Sequence, residues 1–226
     1  MLNHNMAVLA LDPQSEALLN QLQPQVNNIH FSAVNEDTEI ILVFTYLGQY
    51  FNPEKFSSCL SQYQEKFVFG VVIGESVSAE EQAVLATLRG YFLLEIPESS
   101  YKAGILLSVF DKMCAPPTEK GLMPFVDFSD IALLTANCSP VNMIQVSAEG
   151  QDAVASICSQ LSGLISDQIK GLCVLVIANS SLELGQYGEI LDVIFEQVPE
   201  GVVSMFDWIM VEDSQSSIQV LVFTGK

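Results

Sequence analysis

Short runs of consecutive apolar residues, separated by segments with helical spacing, constrain the fold of this chain most strongly. In the first half, the predicted strand Thr38–Leu47 contains IILVF and Phe67–Ile73 reads FVFGVVI. Strands covered on both faces have such unbroken apolar sequences, whereas half-exposed strands alternate apolar and polar residues. Strand and helix signals alternate here, which predicts a parallel, Rossmann-like sheet. The predicted elements are strands Met6–Leu11, His30–Val34, Thr38–Leu47, Phe67–Ile73 and Tyr91–Ile96, and helices Ser15–Leu22, Pro53–Glu65, Ala79–Leu88 and Ser100–Met113.

The second half follows a proline-rich break and has a looser order of elements. Cys114–Thr118 (CAPPT) is the best linker candidate because consecutive prolines stop a helix. The polar segment Glu212–Ser216 joins the last two strands and predicts an antiparallel hairpin. We therefore predict an α/β chain of two domains: a shortened Rossmann-like domain with a connecting helix at 1–117, and a mixed-sheet α+β domain at 118–226. The strands predicted here are Asn142–Val146, Leu172–Ala178, Val202–Val211 and Ser217–Thr224, with helices Gln151–Ile165 and Leu184–Gln197.

The charge balance excludes several classes of partner. The chain has 8 Lys plus Arg against 27 Asp plus Glu, a formal net charge of −19. Such a surface repels phosphate backbones and anionic lipids, so we expect neither nucleic-acid binding nor direct membrane binding. The N-terminus lacks the features of a signal peptide and no apolar run approaches the ~20 residues of a spanning helix, so we expect a cytoplasmic protein. The five cysteines contain no CxxC, which argues against a zinc site or a disulfide framework.

The loops that follow the predicted strands lack the glycines of a phosphate site. In parallel α/β sheets, ligands bind beyond the carboxyl ends of the strands and phosphates lie on helix N-termini. Asp12–Glu16 (DPQSE) has two carboxylates and no glycine, and Asp12 or Ser15 is predicted to cap a helix. Gly48–Pro53 has one glycine among aromatic residues and indicates a turn, while Gly74–Ser78 is acidic and indicates another cap. Neither GxGxxG nor GxxxxGK[ST] occurs anywhere.

Catalytic and cofactor-binding arrangements are equally sparse. The only histidines are His4, near the terminus, and His30, at the start of a predicted strand. No GxSxG motif occurs, and no histidine is placed to serve a cysteine nucleophile. We therefore predict no catalytic residue, no metal and no cofactor. Trp208 lies in a predicted strand and is interpreted as a core residue or an interface anchor.

One segment after the linker resembles a known family. Gly121–Ile131 reads GLMPFVDFSDI and places Asp127 and Asp130 three residues apart at the start of a helix, where acids suit the helix dipole. The string resembles the synergy loop of the tubulin/FtsZ family, whose bacterial cell-division type runs like GLMNVDFADV. Ile144–Val154 and Gly171–Leu184 (GLCVLVIANSSLEL) are similar to family segments that follow in the same order. The first half resembles the nucleotide-binding domain of that family only in shortened outline.

The resemblance implies that the chain keeps the face with the synergy loop and has lost the nucleotide-binding face. In the family, the acids of the synergy loop act at the GTP of the next subunit, and Asp127 and Asp130 match them, although Phe125 stands where the family has asparagine. The GGGTGTG loop of the family is replaced by Tyr46-Leu47-Gly48-Gln49-Tyr50, and its early glycine loop by Asp12-Pro13-Gln14. The implied interaction segment comprises Phe125, Asp127, Phe128 and Asp130, and the implied degenerate nucleotide pocket comprises Asp12, Gln14, Tyr46, Gly48 and Tyr50.

The expected function is that of an FtsZ-like pseudo-GTPase of the cytoskeleton or of cell division, which does not hydrolyse GTP and acts through protein–protein contacts. It would bind or cap FtsZ-type filaments, join a division complex, or assemble with copies of itself. One alternative is a GTP-binding, hydrolysing protein with a remodelled pocket. Another is a scaffold whose former pocket holds a different ligand or a peptide. In that case Tyr46, Tyr50 and Phe51 form a recognition patch; otherwise these aromatics simply fill the pocket.

Overall fold

The computed structural model describes residues 5–26, 29–31, 34–48, 51–63, 65–74, 83, 85, 87–88, 90–95, 99–114, 126–211 and 217–225. The chain groups into two compact units, Met1–Thr118 with Thr135–Pro140, and Glu119–Leu134 with Val141–Lys226. Most of the predicted helix Ala79–Leu88 and most of the predicted linker lie outside the described residues.

The first unit contains a sheet whose described strand pairs are all parallel. The strand order is β2-β1-β3-β4-β5, which confirms the Rossmann-like prediction for this half. Its strands are β1 Met6–Ala10, β2 Ile29–His30, β3 Ile40–Tyr46, β4 Phe67–Gly74 and β5 Tyr91–Glu95. Its helices are α1 Pro13–Leu22, α2 Pro53–Gln62 and α3 Ser99–Cys114, with a 3₁₀ turn at Gln23–Gln25.

Strand β3 lies inside this sheet between β1 and β4, as its apolar sequence predicts. Ile40–Phe44 is fully buried, because helices cover the faces of a parallel sheet. Gly70 in β4 leaves room for a ring: a Cβ there would lie 2.3 Å from Cζ of Phe56 on α2. Of the predicted strand His30–Val34, residues 32–33 lie outside the described residues, and the described strand is Ile29–His30, which pairs with Met6 and Ala7 of β1.

The second unit contains a mixed sheet with the order β6-β9-β7-β8. Strand β7 pairs parallel with β8, whereas β9 pairs antiparallel with both β6 and β7. The prediction of a mixed sheet is therefore confirmed. Its strands are β6 Val141–Glu149, β7 Gly171–Ala178, β8 Val203–Met210 and β9 Ser217–Gly225, and helices α4 Phe128–Asn137, α5 Ala153–Leu161 and α6 Leu184–Phe195 complete the second half.

The predicted hairpin between the last two strands is wrong, because β7 lies between β8 and β9. Strand β9 carries the continuous apolar run VLVF and is buried along most of its length, which suits a strand with a neighbour on each side. Strand β8 is half-exposed, which suits a strand paired with β7 alone among the described residues. The strand order therefore follows the burial of the strands: the buried β9 lies inside the sheet, although β8 is its neighbour in sequence.

Candidate functional site

The carboxylate of Asp12 caps helix α1 at the carboxyl end of β1. Asp12 has an extended backbone (φ −144°, ψ 162°), which is typical of an N-cap residue. Its Oδ1 accepts the backbone N–H of Ser15 at 2.8 Å, and its Oδ2 accepts the Ser15 hydroxyl at 2.8 Å. Asp12 is 7% exposed and Ser15 is 0% exposed. The predicted cap is therefore present, and it is a buried one.

The same carboxylate also reaches the neighbouring strand. Oδ2 of Asp12 accepts the backbone N–H of Tyr46, the last residue of β3, at 2.9 Å. A helix N-terminus offers unpaired N–H groups and a positive dipole end, which together attract anions such as phosphate. Here the Asp12 carboxylate, an anion of the chain itself, accepts a hydrogen bond from that helix N-terminus. A phosphate at this helix would have to displace the Asp12 carboxylate or lie beside its negative charge.

Other backbone groups at this edge of the sheet are also paired within the chain. Leu11 N–H donates to Phe44 O at 3.0 Å, and Leu47 N–H donates to Ile73 O at 2.7 Å. The ammonium of Lys55 donates to Leu11 O at 2.8 Å. These bonds join the carboxyl ends of β1, β3 and β4 and leave their N–H groups unavailable to a ligand.

Helix α2 is capped in the same way as α1. Asn52 Oδ1 accepts the backbone N–H of Lys55 at 2.8 Å. Before it, Gly48 adopts φ +112° and its carbonyl accepts the N–H of Phe51 at 3.0 Å. The positive φ favours glycine. Residues 49 and 50 lie outside the described residues, so the turn predicted for this loop stays a prediction, whereas the helix cap at Asn52 was not predicted.

Apolar side chains occupy the space around these caps. A Cβ at Gly74 would lie 2.6 Å from the side chain of Leu47, so Leu47 packs directly against the end of β4. The rings of Phe51 and Phe56 are 6.2 Å apart, and those of Phe56 and Tyr91 are 6.4 Å apart with their planes nearly perpendicular. Phe51 and Leu47 both pack against the buried cluster on this face of the sheet. Hydrophobic packing therefore extends to the loop where the resemblance places a phosphate-binding turn.

The structure brings together only part of the pocket that the sequence predicts. Asp12 and Tyr46 are hydrogen-bonded, as described above. Gln14 lies exposed in the first turn of α1, and Gly48 is exposed shortly after the end of β3. Tyr50 lies outside the described residues. Sequence reasoning missed Lys55, whose contact with Leu11 spans 44 residues and has no local signal.

Asp127 and Asp130 cap the N-terminus of helix α4. Asp127 Oδ1 accepts the N–H groups of Ser129 at 2.7 Å and Asp130 at 3.2 Å, and Asp130 Oδ2 accepts the N–H of Asp127 at 3.0 Å. This reciprocal pattern is that of a capping box, with two acids that suit the helix dipole. Asp127 is exposed and Phe128 is buried. Phe125 lies outside the described residues.

A buried acid in β8 holds the residue that precedes this cap. Asp207 Oδ2 accepts the N–H of Val126 at 3.3 Å, and Oδ1 accepts the N–H of Trp208 at 2.7 Å. Asp207 is buried, so both bonds are shielded from water. The only sequence signal for this residue is a lone acid within the apolar run of β8.

The described residues lack two further features. None of their helices is long and apolar enough to cross a membrane. Within the same residues, no group of three or more His, Cys, Asp or Glu side chains is placed to hold a metal ion.

Comparison with known proteins assigns the class of fold. No model of a protein family matches the sequence, and no curated protein matches it. Among solved structures, an FtsZ mutant from M. jannaschii matches with a TM-score of 0.67 and 10% identity over 99% of this chain and 91% of that chain. CetZ from Methanosaeta thermophila matches with a TM-score of 0.66 and 9% identity, over 98% and 86% of the two chains. TubZ from Bacillus thuringiensis, in a GTPγS-form protofilament, matches with a TM-score of 0.53 and 12% identity, over 94% and 67%.

The chain therefore has a tubulin/FtsZ-like fold. The resemblance carried by Gly121–Ile131 and the segments after it is confirmed at the level of the fold.

Proposed function

We propose that this chain is an FtsZ-like protein that does not hydrolyse GTP and acts through contacts with other proteins. The observation that carries the proposal is the Asp12 carboxylate, which takes N–H donors at the start of α1 and at the end of β3. Ligands of open α/β sheets bind at that edge. CetZ structures from Haloferax volcanii include a GDP-bound monomer and a GTPγS-bound protofilament, so the same fold holds nucleotide in those proteins. Here an internal anion and apolar packing occupy the edge.

Assembly supports the second part of the proposal. The matching structures include an FtsZ dimer from M. jannaschii and a four-stranded TubZ filament. This chain keeps two acids at the start of α4, with Asp127 exposed. We propose that this end of α4 contacts a tubulin/FtsZ-like partner, either at the end of an FtsZ-type filament or on a second copy of this chain. Cell division is the process that the FtsZ resemblance suggests.

Nucleotide binding is tested first, by isothermal titration of the chain with GTP and with GDP. We expect no heat of binding for either nucleotide, because the helix N-termini at this edge are capped by Asp12 and Asn52. Micromolar binding would overturn the proposal and would favour the remodelled-pocket alternative. The recognition-patch alternative is less favoured, since Phe51 packs against the core.

Assembly is tested by sedimentation, with FtsZ polymers alone, with the chain added, and with the chain alone. We expect the chain to sediment with the polymers or to change their mass, or to form polymers by itself. The variant Asp127→Asn/Asp130→Asn removes two charges and keeps side chains that can cap a helix. It should reduce the effect, whereas the control Asp152→Asn/Asp167→Asn removes the same charge elsewhere and should not. If the chain neither sediments with FtsZ nor assembles, the contact hypothesis fails.

A further inference from the structure

The stretch Gly171–Gly225 of the second unit carries acidic side chains and no basic ones. From Gly171 to Gly225 the sequence contains no Lys, Arg or His. The carboxylates of this stretch belong to Glu183, Glu189, Asp192, Glu196, Glu200, Asp207, Glu212 and Asp213. Charges of one sign without interspersed opposites create a field that attracts cations over several ångströms. This stretch includes helix α6 and strand β8.

Exposed apolar side chains lie between α6 and β8. We define the α6–β8 surface as Leu184, Tyr187, Phe206, Trp208 and Met210. Leu184 is 76% exposed, Phe206 45% and Met210 40%. The rings of Tyr187 and Trp208 are stacked, with centroids 5.7 Å apart and planes at 20°. Both rings are half-buried against the core of this unit, and aromatic side chains often anchor partners at interfaces.

An aromatic contact joins α6 to β8 beside this surface, and a glycine of α6 leaves open space on the helix. Phe195 of α6 meets Phe206 of β8 edge to face, with ring centroids 5.8 Å apart. Gly188 of α6 shares a side of the helix with Leu184 and Asp192, four residues away in each direction. A Cβ at Gly188 would meet no atom within 4 Å. The surface therefore has room for an incoming side chain beside an exposed carboxylate.

We propose that the α6–β8 surface binds a segment of another protein that carries Lys or Arg beside an apolar side chain. The apolar side chain would lie against the exposed Phe206 ring and the half-buried pair of aromatic rings beside it, and the cation would lie near Asp192 and Glu196, which are both exposed on α6. A two-fold symmetric contact with a second copy of this chain is disfavoured at this surface because it would bring the same acidic stretch against itself. The inference rests on the proposed function only in that the chain acts through protein contacts. It holds whether or not GTP binds.

The test uses a synthetic peptide of alternating lysine and leucine, with two matched peptides in which glutamate replaces lysine or serine replaces leucine. Trp208 is the only tryptophan of the chain, so its fluorescence reports on the surface, and titration calorimetry gives the affinity. We expect the lysine–leucine peptide to bind and to shift the tryptophan emission. The two matched peptides should bind at least about tenfold more weakly, and added salt should weaken the binding.

Variants locate the binding on the molecule. Phe206→Ser should weaken it about tenfold, the usual scale for truncating an interface anchor. Leu184→Ser, at a position that is mostly exposed and therefore safe for folding, should weaken it severalfold. The control Tyr101→Ser, at an exposed aromatic of the first unit, should leave the affinity unchanged.

Charge variants separate local attraction from net charge. Asp192→Asn/Glu196→Gln should weaken binding about two- to fivefold and reduce its dependence on salt. Glu54→Gln/Glu65→Gln removes the same charge from exposed sites in the first unit and should leave the affinity unchanged.

The inference would be overturned if both double charge variants lost the same peptide affinity. It would also be overturned if neither Phe206→Ser nor Leu184→Ser lost affinity. A dimer in sedimentation that Phe206→Ser abolishes would overturn it as well, because the surface would then be a self-contact. No step uses nucleotide or FtsZ, so these results are independent of those that test the proposed function.

Discussion

Removing the Asp12 carboxylate is the most informative change to the first unit. In Asp12→Ala, helix α1 loses its N-cap, which costs about 1 kcal/mol. The hydroxyl of Ser15, which is fully buried, and the N–H of Tyr46 lose their acceptor, and a buried donor left unpaired costs about 1–3 kcal/mol. Taking the lower end for each gives a loss of about 3 kcal/mol in the free energy of unfolding. For a chain of this length that corresponds to roughly 6–12 °C in Tm.

The assay is urea denaturation followed by circular dichroism. Asp12→Asn keeps one acceptor oxygen, so it should lose only about 1 kcal/mol. Gln14→Ala, at an exposed position in the same helical turn, is the matched control and should lie within about 0.5 kcal/mol of the wild type. If Asp12→Ala costs no more than Gln14→Ala, the carboxylate does not hold this edge together. The argument against a phosphate site there would then lose its basis.

The remaining predictions concern the core and the start of α4. Gly70→Ala should cost about 2 kcal/mol or more in urea denaturation, because its Cβ would lie 2.3 Å from Phe56, and adding Phe56→Leu should recover part of the loss. Asp207→Asn should speed hydrogen exchange at the Val126 amide, its partner, and an unchanged rate would refute the anchoring role. Burial, with smaller contributions from nearby carboxylates, raises the pKa of Cys173 from 9.0 to about 12. The unfolded chain therefore releases a proton between pH 9 and 12 that the folded chain keeps, and stability falls in that window. Cys173→Ala should make the fall shallower in urea titrations at a series of pH values, and an unchanged slope would refute the assignment.

The parallel half of the fold could be predicted because its signals are local. A run such as Ile40–Phe44 has no polar residue to place on an exposed face, so it must be a strand covered on both sides. Helix α1 follows from DPQS, since aspartate caps a helix and proline suits its first turn. Those patterns need no knowledge of distant residues, and the structure agrees with them.

The order of the second sheet could not be predicted, because strand pairing is not local. Strands β8 and β9 are separated by a short polar segment, and such spacing favours a hairpin. The structure instead places β9 against β6 and β7, which lie far from it in sequence. A hint was present in the burial potential of the strands: β9 contains VLVF, whereas β8 contains an aspartate at its centre. Apolarity along most of a strand marks an interior position, but it does not say which strands lie on either side.

The candidate site likewise combines local contacts, which could be predicted, with long-range contacts, which could not. The cap that Asp12 forms with Ser15 is a contact over three residues and is visible in the sequence. Its bond to Tyr46 spans 34 residues and depends on how β1 and β3 lie side by side. The resemblance therefore predicts that a glycine loop is missing, and the structure shows the contacts that Asp12 makes at this edge.

The Asp12 carboxylate affects which acceptor the N–H groups at this edge of the sheet require. A helix N-terminus at the end of a buried strand needs an acceptor for its N–H groups, because unpaired buried donors are costly. In a nucleotide-binding protein a phosphate can meet this need, and the empty protein then depends on water or a ligand. Here the Asp12 carboxylate meets it from within the chain, so we expect the first unit to fold without a nucleotide. A phosphate at this edge would have to displace that carboxylate or lie beside its negative charge. We therefore expect GTP to add no stability to the chain at this edge.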